Sequence, residues 1–123
     1  MAVSFDTTFE KGFVAQASPA SFISNAGTVA GTVGSNANRV LIGIVGFRAE
    51  IAAVGTVTMT WNSVSMTLIG SGNDSINSDC LFVFGLINPA TGNQTLAVSW
   101  TGGNSPDVSL GAVSIFNADQ ATG

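Results

Sequence analysis

Residues 56–70 read Thr-Val-Thr-Met-Thr-Trp-Asn-Ser-Val-Ser-Met-Thr-Leu-Ile-Gly, so apolar and hydroxyl side chains alternate on both sides of Asn62-Ser63. This pattern predicts a tight antiparallel hairpin with Asn62 and Ser63 as its two loop residues. The register then places three apolar pairs on one face of the ribbon: Trp61 opposite Val64, Met59 opposite Met66, and Val57 opposite Leu68. A ribbon with one wholly apolar face needs a second sheet to cover it, which indicates a two-layer β protein.

Two nearly continuous apolar runs predict central strands. Residues 39–48 contain Val-Leu-Ile-Gly-Ile-Val-Gly-Phe between two arginines, and residues 80–87 read Cys-Leu-Phe-Val-Phe-Gly-Leu-Ile. Because apolar side chains occupy both alternating sets of positions, we expect the first of these strands to be buried on both faces. Residues 94–100 instead alternate strictly, with Leu96, Val98 and Trp100 on one side.

Further strands complete the expected fold. Residues 3–13 form a first extended segment and residues 20–33 one or two short strands, while residues 108–116 change parity around Gly111, which predicts a bulge there. The chain, residues 1–123, is therefore expected to be a single all-β domain, an antiparallel jelly-roll-like β-sandwich of about seven or eight strands. Its predicted core includes Leu41, Val45, Phe47, Met59, Trp61, Met66, Phe82, Phe84, Leu96, Val98 and Trp100.

The connecting segments have less pattern. Residues 70–79 are rich in Gly, Asn, Ser and Asp and are expected to form a polar loop. Residues 51–54, Ile-Ala-Ala-Val, suit a helical turn. No longer helix is predicted.

The composition argues against the commonest kinds of active site. The 123 residues include no His, no Tyr and one Cys, and only Lys11, Arg39 and Arg48 are positively charged. Because nucleophilic catalysis, metal binding and phosphate recognition usually depend on imidazole or clustered cations, we expect neither an enzyme nor a nucleic-acid-binding protein, and no cofactor. The net charge of -4 also argues against polyanionic partners.

The N-terminus, Met-Ala-Val-Ser-Phe-Asp, has neither the basic nor the apolar region of a secretory signal. No apolar stretch of the sequence approaches the length that spans a bilayer. We therefore expect a protein made in the cytosol without a signal peptide and without a membrane segment.

Two kinds of residue could bind a ligand, and each also has a structural explanation. Trp61 and Trp100 could stack on sugar rings, but both belong to the apolar faces of their strands, which favours core packing. The loop from Gly72 to Asp79 offers oxygen ligands that Ca²⁺ accepts, but its spacing is not that of an EF-hand and its composition is that of an ordinary turn. We therefore expect no metal site.

The remaining candidates are acidic pairs and the lone thiol. Asp6 with Glu10, or Asp74 with Asp79, could act as paired carboxylates in glycoside hydrolysis, but nothing in the sequence fixes their separation. Solvated acids are the simpler interpretation. Cys80 lies in an apolar run and is expected to be a small buried side chain.

Four segments resemble a known family when taken in order: NRVLIGIVGFR, VTMTWNSVSMTLIG, LFVFGLINPATGNQTLAVSWTGG and GAVSIFNADQATG. They are similar to a jelly-roll β-sandwich module of phage virion proteins and bacterial surface proteins. The resemblance covers residues 38–120 and implies a structural or adhesive role without transferring a catalytic residue. Members of this family run on into further strands, so the sandwich is expected either to be complete with fewer strands or to leave an edge for a neighbouring subunit.

The resemblance and composition together predict a non-enzymatic virion structural protein, a capsid-decorating or capsid-cementing subunit of a bacteriophage. Its expected partners are further copies of itself and a major capsid or other virion protein. The alternative is a carbohydrate-binding or adhesive module of a tail or surface protein, with a glycan as partner.

The N-terminal segment is the expected contact arm. Phe5, Phe9 and Phe13 recur every four residues within residues 1–13, and we assign them as candidate interface residues. The alternative is that these phenylalanines pack against their own sandwich, as buried aromatic side chains usually do.

Overall fold

The computed structural model describes residues 4–13, 25–74, 76, 78–102 and 107–118, the first of these ranges by its backbone alone. Within these ranges the elements follow in the order β1 Ser4–Phe13, β2 Ala26–Val33, β3 Val40–Phe47, α1 Ile51–Val54, β4 Val57–Trp61, β5 Val64–Ser65, β6 Thr67–Asp74, β7 Asp79–Ile87, β8 Gly92–Trp100 and β9 Val108–Phe116. The helical turn expected over residues 51–54 is confirmed as α1.

The strands form two antiparallel sheets. The first has five strands in the order β1-β9-β3-β7-β6, and the second has four in the order β2-β8-β4-β5. The central strand β3 pairs with both β7 and β9, and β8 pairs with both β2 and β4. The two sheets stack with their inner faces together, and the side chains between them form the hydrophobic core.

The pairing of the strands confirms the jelly-roll-like β-sandwich. β1 pairs with β9, β2 with β8, β3 with β7, and β4 with β5, so the first half of the chain lies antiparallel to the second half. The long hairpin is rolled up, because β9 also reaches β3 and β8 also reaches β4. β5 and β6 are separated by Met66 alone, and counted as one strand they give the eight strands of this fold.

The hairpin predicted around Asn62-Ser63 is present. Both loop residues have positive φ, 49° and 65°, as a two-residue type I′ turn requires. Trp61 pairs with Val64 as expected, and the Met66 amide donates a hydrogen bond of 2.9 Å to the Met59 carbonyl.

The far end of that hairpin differs from the prediction. Leu68 does not face Val57; it pairs with Phe84 of β7 in the other sheet. The strand leaves the four-stranded sheet after Met66 and becomes the edge of the five-stranded sheet. The predicted apolar pair at this position is therefore wrong, because the hairpin register ends where the strand changes sheets.

The predicted core is confirmed in full, since all eleven of its residues are buried between the sheets. The core also includes residues outside that predicted list: Val29, Val33, Val54, Val57, Cys80, Val108 and Leu110. Gly43 of β3 faces this core, and a Cβ there would collide with the sulfur of Met59. A larger residue at this position would require the Met59 side chain to shift, because Met59 packs against the backbone of β3.

Two further expectations are corrected. β9 pairs with β3 without a register shift at Gly111, and the irregularity lies in β1, between Phe5 and Thr7. The expected polar loop from residue 70 is shorter, because β6 continues to Asp74 and pairs with β7. Polar and glycine residues can continue an edge strand because its backbone needs only one partner.

Candidate functional site

The outer face of the five-stranded sheet is apolar. Along β3 and β7, the residues that alternate with the buried ones point away from the core, and they are mostly aliphatic. We call this surface the apolar face and define it by Ile42, Ile44, Ile69, Leu81, Val83 and Ile87. Ile44 is 39% exposed, Leu81 44% and Ile69 62%, and Ile87 is exposed as well.

This finding corrects the expectation that β3 is buried on both faces. Leu41, Val45 and Phe47 are buried in the core, but Ile44 on the opposite side is exposed and Ile42 only half-buried. No described element of the chain is layered over this side of the sheet. In this chain, therefore, the strand with aliphatic residues in both alternating positions has one buried face and one face that meets solvent.

Glycines keep the apolar face flat. A Cβ at Gly85 would lie 2.8 Å from the Cδ1 atom of Ile69 and 3.9 Å from that of Ile42, so the Ile69 side chain rests on the β7 backbone. A Cβ at Gly46 would lie 3.8 Å from the Cδ1 atom of Leu81, which reaches over β3 in the same way. Side chains lying across a glycine backbone make an even surface.

The outer face of the four-stranded sheet has a different chemistry. Its outward positions are mainly hydroxyl residues, and we call it the hydroxyl face and define it by Thr28, Thr32, Thr58, Thr60, Thr95 and Ser99. Thr58 and Ser99 are cross-strand partners whose hydroxyl oxygens are 2.7 Å apart. Neighbouring outward positions are held by Ala30 and Ala97. This face is neutral but can hydrogen-bond with water.

Acidic residues lie at one end of the apolar face, whereas Arg39 precedes β3 at the other end, where its carbonyl accepts a 2.9 Å hydrogen bond from the Asn88 amide. Arg48, immediately after β3, lies 3.9 Å from the Asp107 carboxylate, and Asp79 begins β7 beside it. Asp74 pairs with Asp79 at the end of β6. Between these ends, β3 from Val40 and β7 from Cys80 carry no charged residue. The apolar face is therefore bordered at one end by a mainly acidic cluster.

The tryptophans are confirmed as core residues. Trp61 is fully buried, and its Nε1 donates a 2.8 Å hydrogen bond to the Ala90 carbonyl. Trp100 is also buried and packs edge-on against Phe47, with ring centroids 5.1 Å apart. Neither ring offers a face on which a sugar could stack.

Asp74 and Cys80 take structural positions in the described part of the chain. Asp74 accepts a 2.9 Å hydrogen bond at Oδ1 from the Ile76 amide, as in an Asx turn, and residues 75 and 77 lie outside the described part of the chain. Asp6 and Glu10 lie in β1, whose side chains are not described.

Cys80 is buried as predicted. Burial raises the pKa of its thiol, and the negative charge of Asp79 raises it further.

The predicted interface residues lie in β1, an edge strand of the five-stranded sheet. Phe9 pairs with Ala112 and Phe13 with Val108, whereas Phe5 pairs with Ile115 on the other side of the register shift. The segment is therefore a paired strand in its backbone from Ser4 to Phe13. The role of these phenylalanines in contact with a partner remains a prediction.

No family model, curated protein or solved structure matches this chain. Within the described residues there is no helix with the length and apolar character to cross a membrane. The same part of the chain contains no group of three or more Cys, Asp or Glu side chains placed to hold a metal ion. The apolar face is the surface feature with the clearest chemical consequence.

Proposed function

We propose that this chain is a non-enzymatic structural protein of a bacteriophage virion, a capsid-decorating or capsid-cementing subunit. The observation that carries the proposal is the apolar face, because exposed aliphatic side chains that are contiguous on a sheet are typical of surfaces that other proteins cover. Its partner within the assembly is a protein surface of matching shape.

Attachment to the particle would depend on the presence of many copies of the subunit. A decorating subunit needs no reactive groups, since it binds by shape and by the burial of apolar area. Many copies on one symmetric particle turn individually weak contacts into durable attachment. The resemblance of residues 38–120 to phage virion modules supports the same role.

The decisive experiment is mass spectrometry of purified virions from a phage whose genome encodes this chain. We expect the chain in a fixed, near-stoichiometric ratio to the major capsid protein, and retained after density-gradient purification. Its absence from purified virions would refute the proposed function. A gene located away from capsid, portal and terminase genes would count against it.

A matched pair of variants tests whether attachment uses the apolar face. Ile44→Lys places a charge at the middle of the apolar face, and Thr58→Lys places the same charge on the hydroxyl face. Particles assembled with Ile44→Lys should lose most of their decoration, since burying an unpaired lysine is costly. Particles with Thr58→Lys should keep it. Equal occupancy in both would show that attachment does not depend on the apolar face.

A further inference from the structure

We propose that a second copy of this chain covers the apolar face, sheet against sheet, in a two-fold symmetric dimer. The inference rests on the proposed structural role and names the occupant of the same surface as a neighbouring subunit of this chain, so the loss of decoration expected for Ile44→Lys would follow from loss of the paired, more durably attached subunits. Three observations select a second copy: the area of the face, its chemistry and the position of the charges at its border.

The area suits a dimer. Four strands contribute to this side of the sheet: β3, β7 and β6 carry the apolar face, and β9 extends it with Val113 beside Ile42 and Ile115 beside Val40. β3 is 8 residues long. With a strand spacing of about 4.8 Å and a rise of about 3.3 Å per residue, the face covers about 500 Å² per subunit. Two such faces bury about 1,000 Å² in total, which is at the lower end for a specific interface. The expected dimer therefore dissociates on dilution.

The chemistry is self-complementary. Each copy offers aliphatic side chains with no charge along β3 from Val40 to Phe47. A second identical face would create the same kind of layer that fills the interior of the sandwich, about 10 Å between sheets. The flatness given by Gly46 and Gly85 allows two such faces to meet without a protruding element. An anionic membrane is a poorer partner, because Asp79 and Asp107 border the face.

The charged end indicates how the copies are oriented. Arg48, Asp79 and Asp107 lie at one end of the strands, whereas Val40, Ile87 and the positively charged Arg39 lie at the other. A two-fold axis in the plane of the interface and perpendicular to the strands places each acidic end over the end of the other copy that carries Arg39. Like charges are then kept apart. Because each copy contributes its one apolar face to the interface, the assembly closes as a dimer.

Sedimentation velocity over a wide concentration range tests the dimer in solution. We expect the wild-type protein and Thr58→Lys to share one monomer–dimer equilibrium. Ile44→Lys, whose site lies between Val83 and Gly111 on the neighbouring strands, should raise the dissociation constant by about tenfold or more. A wild-type protein that stays monomeric at millimolar concentration would overturn the inference.

A second variant guards against a failure of folding. Leu81→Lys lies on the same face but on β7, and its exposed position allows the lysine to reach water in the monomer. Circular dichroism and thermal melting identify which variants keep the fold. Folded variants that still dimerise like the wild type would refute the apolar face as the interface.

The outcomes separate this inference from the proposed function. A dimer through the apolar face in a protein that is absent from purified virions would refute the virion role and leave the dimer standing. A protein that is found on virions but is monomeric at every concentration would refute the dimer and leave the virion role standing.

Discussion

The two outer faces of this sandwich have the same backbone geometry and opposite relations to water. The outward residues of β3 and β7 are Ile, Leu and Val, whereas those of β2, β4 and β8 are largely Thr and Ser. Val, Ile and Thr all suit a pleated strand because of their branched side chains. Strand formation therefore does not explain the difference between the faces.

The difference lies in what each face gains when it is covered. Burying an aliphatic side chain completely yields about 1.5–3 kcal/mol. A threonine hydroxyl that is covered without a partner loses its hydrogen bond to water, which costs about 1–3 kcal/mol. Covering the apolar face would therefore gain free energy, whereas covering the hydroxyl face without new hydrogen bonds would cost it.

The largest expected effect is a difference in the free energy of unfolding between variants on the two sides of β7. Phe84 and Leu81 lie three residues apart on β7, Phe84 in the core and Leu81 on the apolar face. Phe84→Ala should lower the free energy of unfolding by about 3–5 kcal/mol. Leu81→Ala should lower it by less than about 1 kcal/mol in the dilute monomer, because the side chain is already in contact with water. Denaturant titration measures both.

A similar loss in the two variants would contradict the assignment of the faces. It would mean that Leu81 is as deeply buried as Phe84. The comparison has to be made below the dissociation constant, since dimerisation adds stability to the wild type by mass action.

The next prediction concerns a variant in which aliphatic side chains replace two hydroxyl side chains of the hydroxyl face. Replacing Thr58 and Ser99 together by Val removes their 2.7 Å contact and adds two aliphatic side chains at a cross-strand pair. Because both sites are exposed, the cost in stability should be below about 1 kcal/mol. The variant should associate beyond the dimer, through a second apolar surface.

Sedimentation velocity again provides the measurement, with Thr58→Ser as a control that keeps a hydroxyl group. Species larger than a dimer should appear in the double Val variant only. If the double variant stays dimeric, exposed aliphatic residues do not by themselves drive association of this sandwich.

Much of the fold could be predicted from the sequence, because the hairpin and the strictly alternating β8 have only one reasonable arrangement. Asn62-Ser63 fixes the register of Trp61 against Val64, and Leu96, Val98 and Trp100 fix which side of β8 is buried. Local turn chemistry and a period of two were sufficient there.

The candidate site could not be predicted in the same way. A strand with aliphatic residues in both alternating sets, such as β3, can lie between two layers or can have one layer and a partner protein. These situations give the same sequence pattern. The position of Leu68 was missed for a related reason: whether a strand stays in its sheet or crosses to the other depends on which edge is free, which is a property of the whole fold.

The smallest expected effect concerns salt. If burial of the apolar face drives dimerisation, the dissociation constant should change by less than roughly threefold between about 0.05 and 0.5 M NaCl. The direction should be towards tighter binding, because each subunit carries a net charge of -4 and salt screens the repulsion between the copies. Sodium sulfate should strengthen the dimer further, since excluded salts favour apolar burial. Dissociation by moderate NaCl would instead show that ion pairs, such as those available to Arg48 and Asp79, hold the copies together. The interface would then lie at the charged end of the sheet and not across its aliphatic centre.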